Sequence, residues 1–268
     1  MMKKLILAVC TVVLCSCTDS VEREANEYLV LAQEAYQKGA YEVAREKIDS
    51  IRSKFPKAFE TRRAALKLQQ DIDVAEAQQA VEETDKIIQA KTGVVERMKE
   101  QLVLEPITGT VGNYVSKAQT VDKIDHAMLR AQCDEHGLLS LTSVYPGSLD
   151  HHAISVSCNG QEVHVPASDA RFTAESHGQP LEEVVYSNDR EAGVSAFISE
   201  HMNEAITLTF YGAKEAKKVV MRPEDVKAVA EVYDFYVQLK TLNDARVRYA
   251  DACEKIKFVH RNQNDSLK

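Results

Sequence analysis

Eight of the ten glycines and four of the six prolines fall between residues 105 and 221. Both residue types are expelled from helix interiors and mark turns. A 268-residue chain partitioned this way is restricted to helices, then a turn-rich middle, then a closing helix. The flanks, rich in Ala, Glu, Lys, Gln, Val and Leu, agree. Within the middle, residues 138–145 read as a strand ending at Pro146-Gly147. Residues 153–158 and 161–165 flank Asn159-Gly160, a pair suited to the two positive φ values of a type I′ hairpin. Residues 205–211 and 217–221 suggest a second pair, with a short helix within 190–203. Pro223 then stands at a first-turn position of the closing helix. The expected fold class is α+β, with an antiparallel β-rich domain over 105–221, as a small sheet or partly open barrel, inserted between long helices.

Those helices carry a seven-residue rhythm. Val74, Val81, Ile88, Val95 and Leu102 recur at sevens, with Ala77 and Met98 in a companion row that Thr84 and Lys91 interrupt. Phe235, Leu242, Tyr249 and Ile256 repeat at the same interval, flanked by Ala245, Ala252 and Val259. Matched stripes on both sides of an insertion predict an antiparallel, coiled-coil-like pair between the 25–104 and 222–268 segments. Two amphipathic helices on one globular core are the alternative.

Lys3 and Lys4 precede an apolar stretch, Leu5 to Leu14, that is too short to span a bilayer but has the length of a signal-peptide core. Leu14-Cys15-Ser16-Cys17 follows, and this resembles the lipobox of bacterial lipoproteins. The resemblance implies removal of residues 1–16, acylation of Cys17 and a short tether over 17–24. It also implies a bilayer as one partner, since stable anchoring takes more than one acyl chain. Cys17-Thr18-Asp19-Ser20 looks like the mature start of Bacteroidota lipoproteins, and Thr18 leans the expected location to the outer membrane of the cell envelope.

Residues 25–56 divide into two amphipathic stretches. Tyr28, Leu31, Ala32 and Ala35 share one face, and Ala44, Ile48 and Ile51 share the next. Gly39 lies between them at a C-cap position, and Pro56 closes the second. This hairpin resembles a single tetratricopeptide repeat, and Phe55-Pro56-Lys57-Ala58-Phe59-Glu60 resembles the inter-repeat link of outer-membrane-assembly lipoproteins. The resemblance implies a protein partner, with contact expected at Tyr28, Leu31 and Tyr36, and Tyr145 of the β-rich domain as a further contact residue. Those residues serve equally as core.

The formal charge is −8, from 33 Lys+Arg against 41 Asp+Glu, and loss of Lys3 and Lys4 with the leader takes it to −10. Such a balance repels phosphate backbones, so nucleic acid is not an expected partner. No cofactor motif is recognised. Asp150, His151, His152 and His164 are the best metal-ligand types, yet adjacent strand residues face opposite ways and cannot share one ion, so no metal site is expected. Cys133 and Cys158 fall in strand-like segments where a disulfide is an open alternative. No serine or cysteine stands in a recognised nucleophile context, and no catalytic residue is assigned. The expected function is a non-catalytic interaction or scaffold lipoprotein. The alternative is a small-ligand or metal-binding β domain, and a hydrolase ranks below both.

Overall fold

The computed structural model describes residues 13–106, 112–176, 178–187, 190–191 and 193–265, with backbone alone at 13–19, 176, 179, 264 and 265. Residues 1–12 of the expected leader and the side chain of Cys17 lie outside the described residues. The chain is mixed α+β and divides into two compact units. One comprises the chain up to Asp85 together with Val247 onward, and the other runs from Lys86 to Arg246. No described helix is long and apolar enough to cross a membrane.

The first unit is helical. Helix α1 (Val13–Gln37) covers the segment expected to be a tether. It turns into α2 (Tyr41–Lys54) through Gly39, whose φ of +71° a side chain would resist. The Gly39 N–H donates to Tyr36 O and the Ala40 N–H to Ala35 O, the paired bonds that close a helix C-terminus around a left-handed residue. Leu29, Ala32 and Ala35 of α1 bury against Ala44, Ile48 and Ile51 of α2. The start of α3 (Phe59–Gln101) completes that core with Ala65, Leu68 and Ile72. Three helices therefore bury what a lone hairpin would leave wet.

Two polar devices fix this packing. Glu22 of α1 caps α3: its carboxylate accepts from the Glu60 N–H and the Thr61 N–H, both at 3.2 Å, and from Thr61 Oγ1 at 2.7 Å. The Thr61 hydroxyl bond leads in holding the Glu22 pKa below its ordinary value, as suits a carboxylate at a helix N-terminus. Arg45 of α2 reaches Asp73 at 2.7 Å and Glu76 at 2.6 Å on α3. Lys255 of α5 (Pro223–Asp265) approaches the same two acids at 3.4 and 4.0 Å, and Gln263 donates to Asp71. Rising α3 numbers meet falling α5 numbers, so these stretches run antiparallel.

The second unit holds two antiparallel sheets rather than one. Six strands, β1 (Leu102–Glu105), β2 (Asn113–Ser116), β3 (Met128–Asp134), β4 (Leu139–Pro146), β7 (Arg171–Ser176) and β8 (Gln179–Tyr186), are ordered β1-β2-β3-β4-β8-β7. Four, β5 (Ala153–Cys158), β6 (Gln161–Val165), β9 (Thr207–Tyr211) and β10 (Ala216–Val220), are ordered β10-β9-β5-β6. Asn159 and Gly160 adopt φ of +50° and +78° between β5 and β6, the conformation that an Asn-Gly hairpin uses. Helix α4 (Val194–Glu200) falls inside the expected segment. Sequence periodicity carried the long helix to about residue 104, but it stops at Gln101. Leu102 to Glu105 pair instead with Ser116 to Asn113, so the tertiary ladder overrides a helical pattern.

One core serves both sheets and the long helices of this unit. Leu129, Ala131 and Cys133 of β3 alternate inward and join Ile154 and Val156 of β5, Phe210 of β9, Val95 of α3, and Phe235, Leu239 and Leu242 of α5. The outer face of the six-stranded sheet has its own small cluster of Ile124, Met128, Val144 and Leu181. Cys133 and Cys158 are free thiols in different sheets. Lys91, which interrupts the companion row, donates to Gln238 Oε1 at 2.6 Å, so the two polar residues answer each other between the helices. Thr84, the other interruption, is fully buried with its hydroxyl donated to Ala80 O at 2.6 Å.

The Glu22 cap generates a stability prediction. Glu22→Ala should lower unfolding free energy by about 1 kcal/mol in urea titration, whereas Glu24→Ala, at an exposed position of α1, should leave it unchanged.

Candidate functional site

An open groove runs between α2 and α3 in the first unit. Arg52 stands on the α2 side and Phe59, Arg62, Arg63, Leu66 and Gln69 on the α3 side, over a floor of Ile48, Ile51 and Ala65, around a volume of about 370 Å³. The α3 residues Phe59, Arg62, Arg63 and Leu66 follow the i, i+3, i+4, i+7 spacing of one helical face. The floor is core: Ile48, Ile51 and Ala65 are buried. Phe59 is 69% exposed and Leu66 59%, unusual for large apolar side chains that stand together. Three arginines and no acidic residue line the space. Arg62 donates to Pro56 O at 2.9 Å, and Arg52 contacts Asp49 at 3.3 Å on the surface, so each guanidinium group has further N–H donors facing the groove.

The residues expected from sequence to contact a partner sit elsewhere. Tyr28 is half-buried against the helical core, its ring 5.5 Å from that of Phe55 and beneath Lys54 Nζ. Tyr36 packs on the same core and on Tyr41. Leu31 is 47% exposed, and Tyr145 lays its ring 5.3 Å from Phe210 in the second unit. None of the four lines the groove. The signal that could have found it was the Phe59/Arg62/Arg63/Leu66 stripe directly after the link at Pro56.

In the second unit, a polar relay crosses the apolar core. His151, just before β5, places Nε2 2.9 Å from Ser143 Oγ on β4, and Nδ1 2.9 Å from Glu182 Oε2 on β8. Tyr186 OH lies 3.5 Å beyond Ser143. Glu182 also accepts the Asp150 and His151 N–H groups, at 2.7 and 3.1 Å. A neutral imidazole satisfies this chain in one sense: Nδ1–H donates to Glu182, and Nε2 accepts from the Ser143 hydroxyl. Burial is the main cause holding the His151 pKa below its ordinary value. Burial also opposes ionised Glu182, but the bonds from His151 and the two backbone N–H groups prevail and lower its pKa. Burial pushes Tyr186 up to about 12. The order of groups matches a serine-nucleophile site, but Ser143 has no exposed surface, so an acyl substrate cannot reach its Oγ in this conformation. Sequence reading placed His151 among metal-ligand types; the structure spends both its ring nitrogens on the relay, while His164 is exposed beside Glu162.

No family model, curated protein or solved structure matches the chain.

The relay dictates an acid sensitivity. Unfolded histidine takes up a proton near pH 6.5, while folded His151 takes it up only at lower pH, so the unfolded chain binds more protons as acidity rises through that window. Stability should fall below about pH 6.5 by up to about 1.4 kcal/mol per pH unit. Glu182 acts in the same sense below the ordinary glutamate range. Thermal unfolding followed between pH 7.5 and 5 should show this slope, and His151→Gln should remove its histidine part while lowering stability at pH 7.5.

Proposed function

We propose that this chain is a lipid-anchored protein of the cell envelope, held at the outer membrane through acylated Cys17, whose helical unit docks an acidic, amphipathic helix of a partner protein. The observation that carries the reading is the α2/α3 groove, where exposed Phe59 and Leu66 lie between Arg52, Arg62 and Arg63. An amphipathic helix inserts apolar anchors into such a groove, and carboxylates along its edge would find guanidinium donors in bidentate geometry. The cationic rim stands out in a chain of net charge −8. The likeness of residues 25–56 to a tetratricopeptide repeat supports the same reading, because the next helix of such an array would stack on α2 and α3. The anchor rests on the lipobox-like Leu14-Cys15-Ser16-Cys17.

Two experiments test it. Cross-linking in intact cells, followed by purification from detergent extract, should recover an envelope protein with the native chain. The double reversal Arg62→Glu/Arg63→Glu should reduce that recovery at least tenfold without changing the melting temperature. Equal recovery would sink the groove as the docking site. Separately, Cys17→Ser should leave the protein unprocessed and unlabelled by radioactive palmitate; a labelled variant would refute the anchor.

A further inference from the structure

We propose that Cys158, His201 and Glu204 form a binding site for a zinc ion in the second unit. This assignment is independent of the docking groove and stands whether or not the groove binds a helix. Cys158 ends β5, one residue before the Asn159-Gly160 turn. His201 caps the C-terminus of α4, its N–H donating to Phe197 O, and the Glu204 N–H donates in turn to His201 O. The chain then enters β9, whose first residue Thr207 pairs with Ser157 of β5. That pairing returns the α4–β9 connection to the end of β5 and sets a thiol, an imidazole and a carboxylate side by side.

The three side chains are close enough for small rotamer adjustments to close them on a tetrahedral ion. Zinc bonds of about 2.3 Å to sulfur and about 2.0–2.2 Å to nitrogen or oxygen, at tetrahedral angles, separate the ligand atoms by about 3.3–3.6 Å. Cys158 Sγ lies 3.2 Å from Glu204 Oε2, and His201 Nδ1 lies 3.3 Å from Glu204 Oε1. One ligand atom from each of the three residues falls within 4.8 Å of the others. A thiolate, an imidazole and a carboxylate are the donors zinc takes, and they suit it better than the all-oxygen shells of magnesium or calcium. Three protein ligands leave a fourth position for water.

The surroundings support the ligands. Cys158 is buried and held on β5 by its pairing with Gln161 of β6. In the metal-free chain the thiol donates to Glu204; a bound cation takes the place of that proton. The ring of Phe197 lies 4.5 Å from that of His201 and limits the orientation of the imidazole, and the Asn159 amide donates to Glu204 Oε2.

Cobalt(II) is the probe, because a thiolate ligand gives it an intense near-ultraviolet charge-transfer band and a tetrahedral site gives it strong visible bands. The full-length protein, stripped with chelator and held in detergent, should develop both with one equivalent of Co²⁺ and lose both on addition of one equivalent of Zn²⁺. Cys158→Ala should abolish the charge-transfer band. His201→Ala, at a turn where folding is less at risk, should weaken Zn²⁺ binding at least tenfold in a competition titration, with the circular dichroism spectrum unchanged. Cys253→Ser should alter neither result. Absence of the band in the native chain, or its survival in Cys158→Ala, would overturn the assignment.

Discussion

The second unit depends on how two helices meet. The chain leaves α3 at Gln101, runs through the strands of both sheets and α4, and enters α5 at Pro223. Both ends of the β-rich segment are therefore tied to the α3 and α5 backbones, and the register of those helices limits where the sheets can close. Lys91 and Gln238 set that register by pairing at 2.6 Å next to the buried Val95, Leu239 and Leu242. Both groups are half-buried, and a slipped register would break their hydrogen bond and misalign the apolar side chains beside it. Phe235 then projects from α5 onto Tyr114 of β2, with ring centroids 4.9 Å apart, and carries the helix position into the six-stranded sheet.

A second constraint acts between the sheets. Ser143, Glu182 and Tyr186 lie on the core side of β4 and β8, because Ser143 pairs opposite Val184 and stands diagonal to both of its neighbours. His151 reaches them from the entry to β5, and its ring packs edge-on against Phe210 of β9. One imidazole thus connects the six-stranded sheet to the four-stranded one. Each polar atom of the relay has a partner, which is the condition for a buried network to fix one arrangement rather than weaken the core. The relay has the atoms of a proton shuttle, and its Ser143 hydroxyl has no exposed surface.

Sequence periodicity reads well where burial follows a single period. The Gly39 turn, the Asn159-Gly160 hairpin, β4, the β9–β10 pair and the start of α5 at Pro223 are all local patterns, and all stand in the structure. The β1–β2 pair and the β7–β8 hairpin were not individually legible. β1 continues a helical heptad into Leu102, and β7 exposes most of its side chains, Phe172 among them. β2 and β8 gain strand character by pairing with β3 and β4, and β1 and β7 by pairing with those strands in turn, a tertiary context that single-sequence patterns do not encode. The candidate sites were harder still. Cys158 and His201 come together only through the β5–β9 pairing, and the His151 relay only through β4 and β8. Tyr28 and Tyr36, expected at a contact face from the likeness to a tetratricopeptide repeat, are half-buried against the helical core, whereas Phe59 and Leu66 of α3 are exposed.

That face bears on what the helical unit is built for. A stack of helices must end somewhere, and an end exposed to water is normally closed by a polar outer surface. Here α2 and α3 end the stack with Phe59 and Leu66 largely exposed above buried Ile48, Ile51 and Ala65. Covering those side chains would remove apolar area from water at roughly 25 cal/mol per Å², so the groove is a surface that gains by being filled. Its charge narrows the occupant. Arginines rather than lysines border it, and their planar donors favour carboxylates over bulk water more strongly than a hydrated ammonium does. A basic helix would be repelled at Arg52, Arg62 and Arg63, and a purely apolar one would leave their donors to water. The acidic amphipathic helix proposed as partner would satisfy floor and rim together, covering the apolar side chains while its carboxylates meet the guanidinium groups.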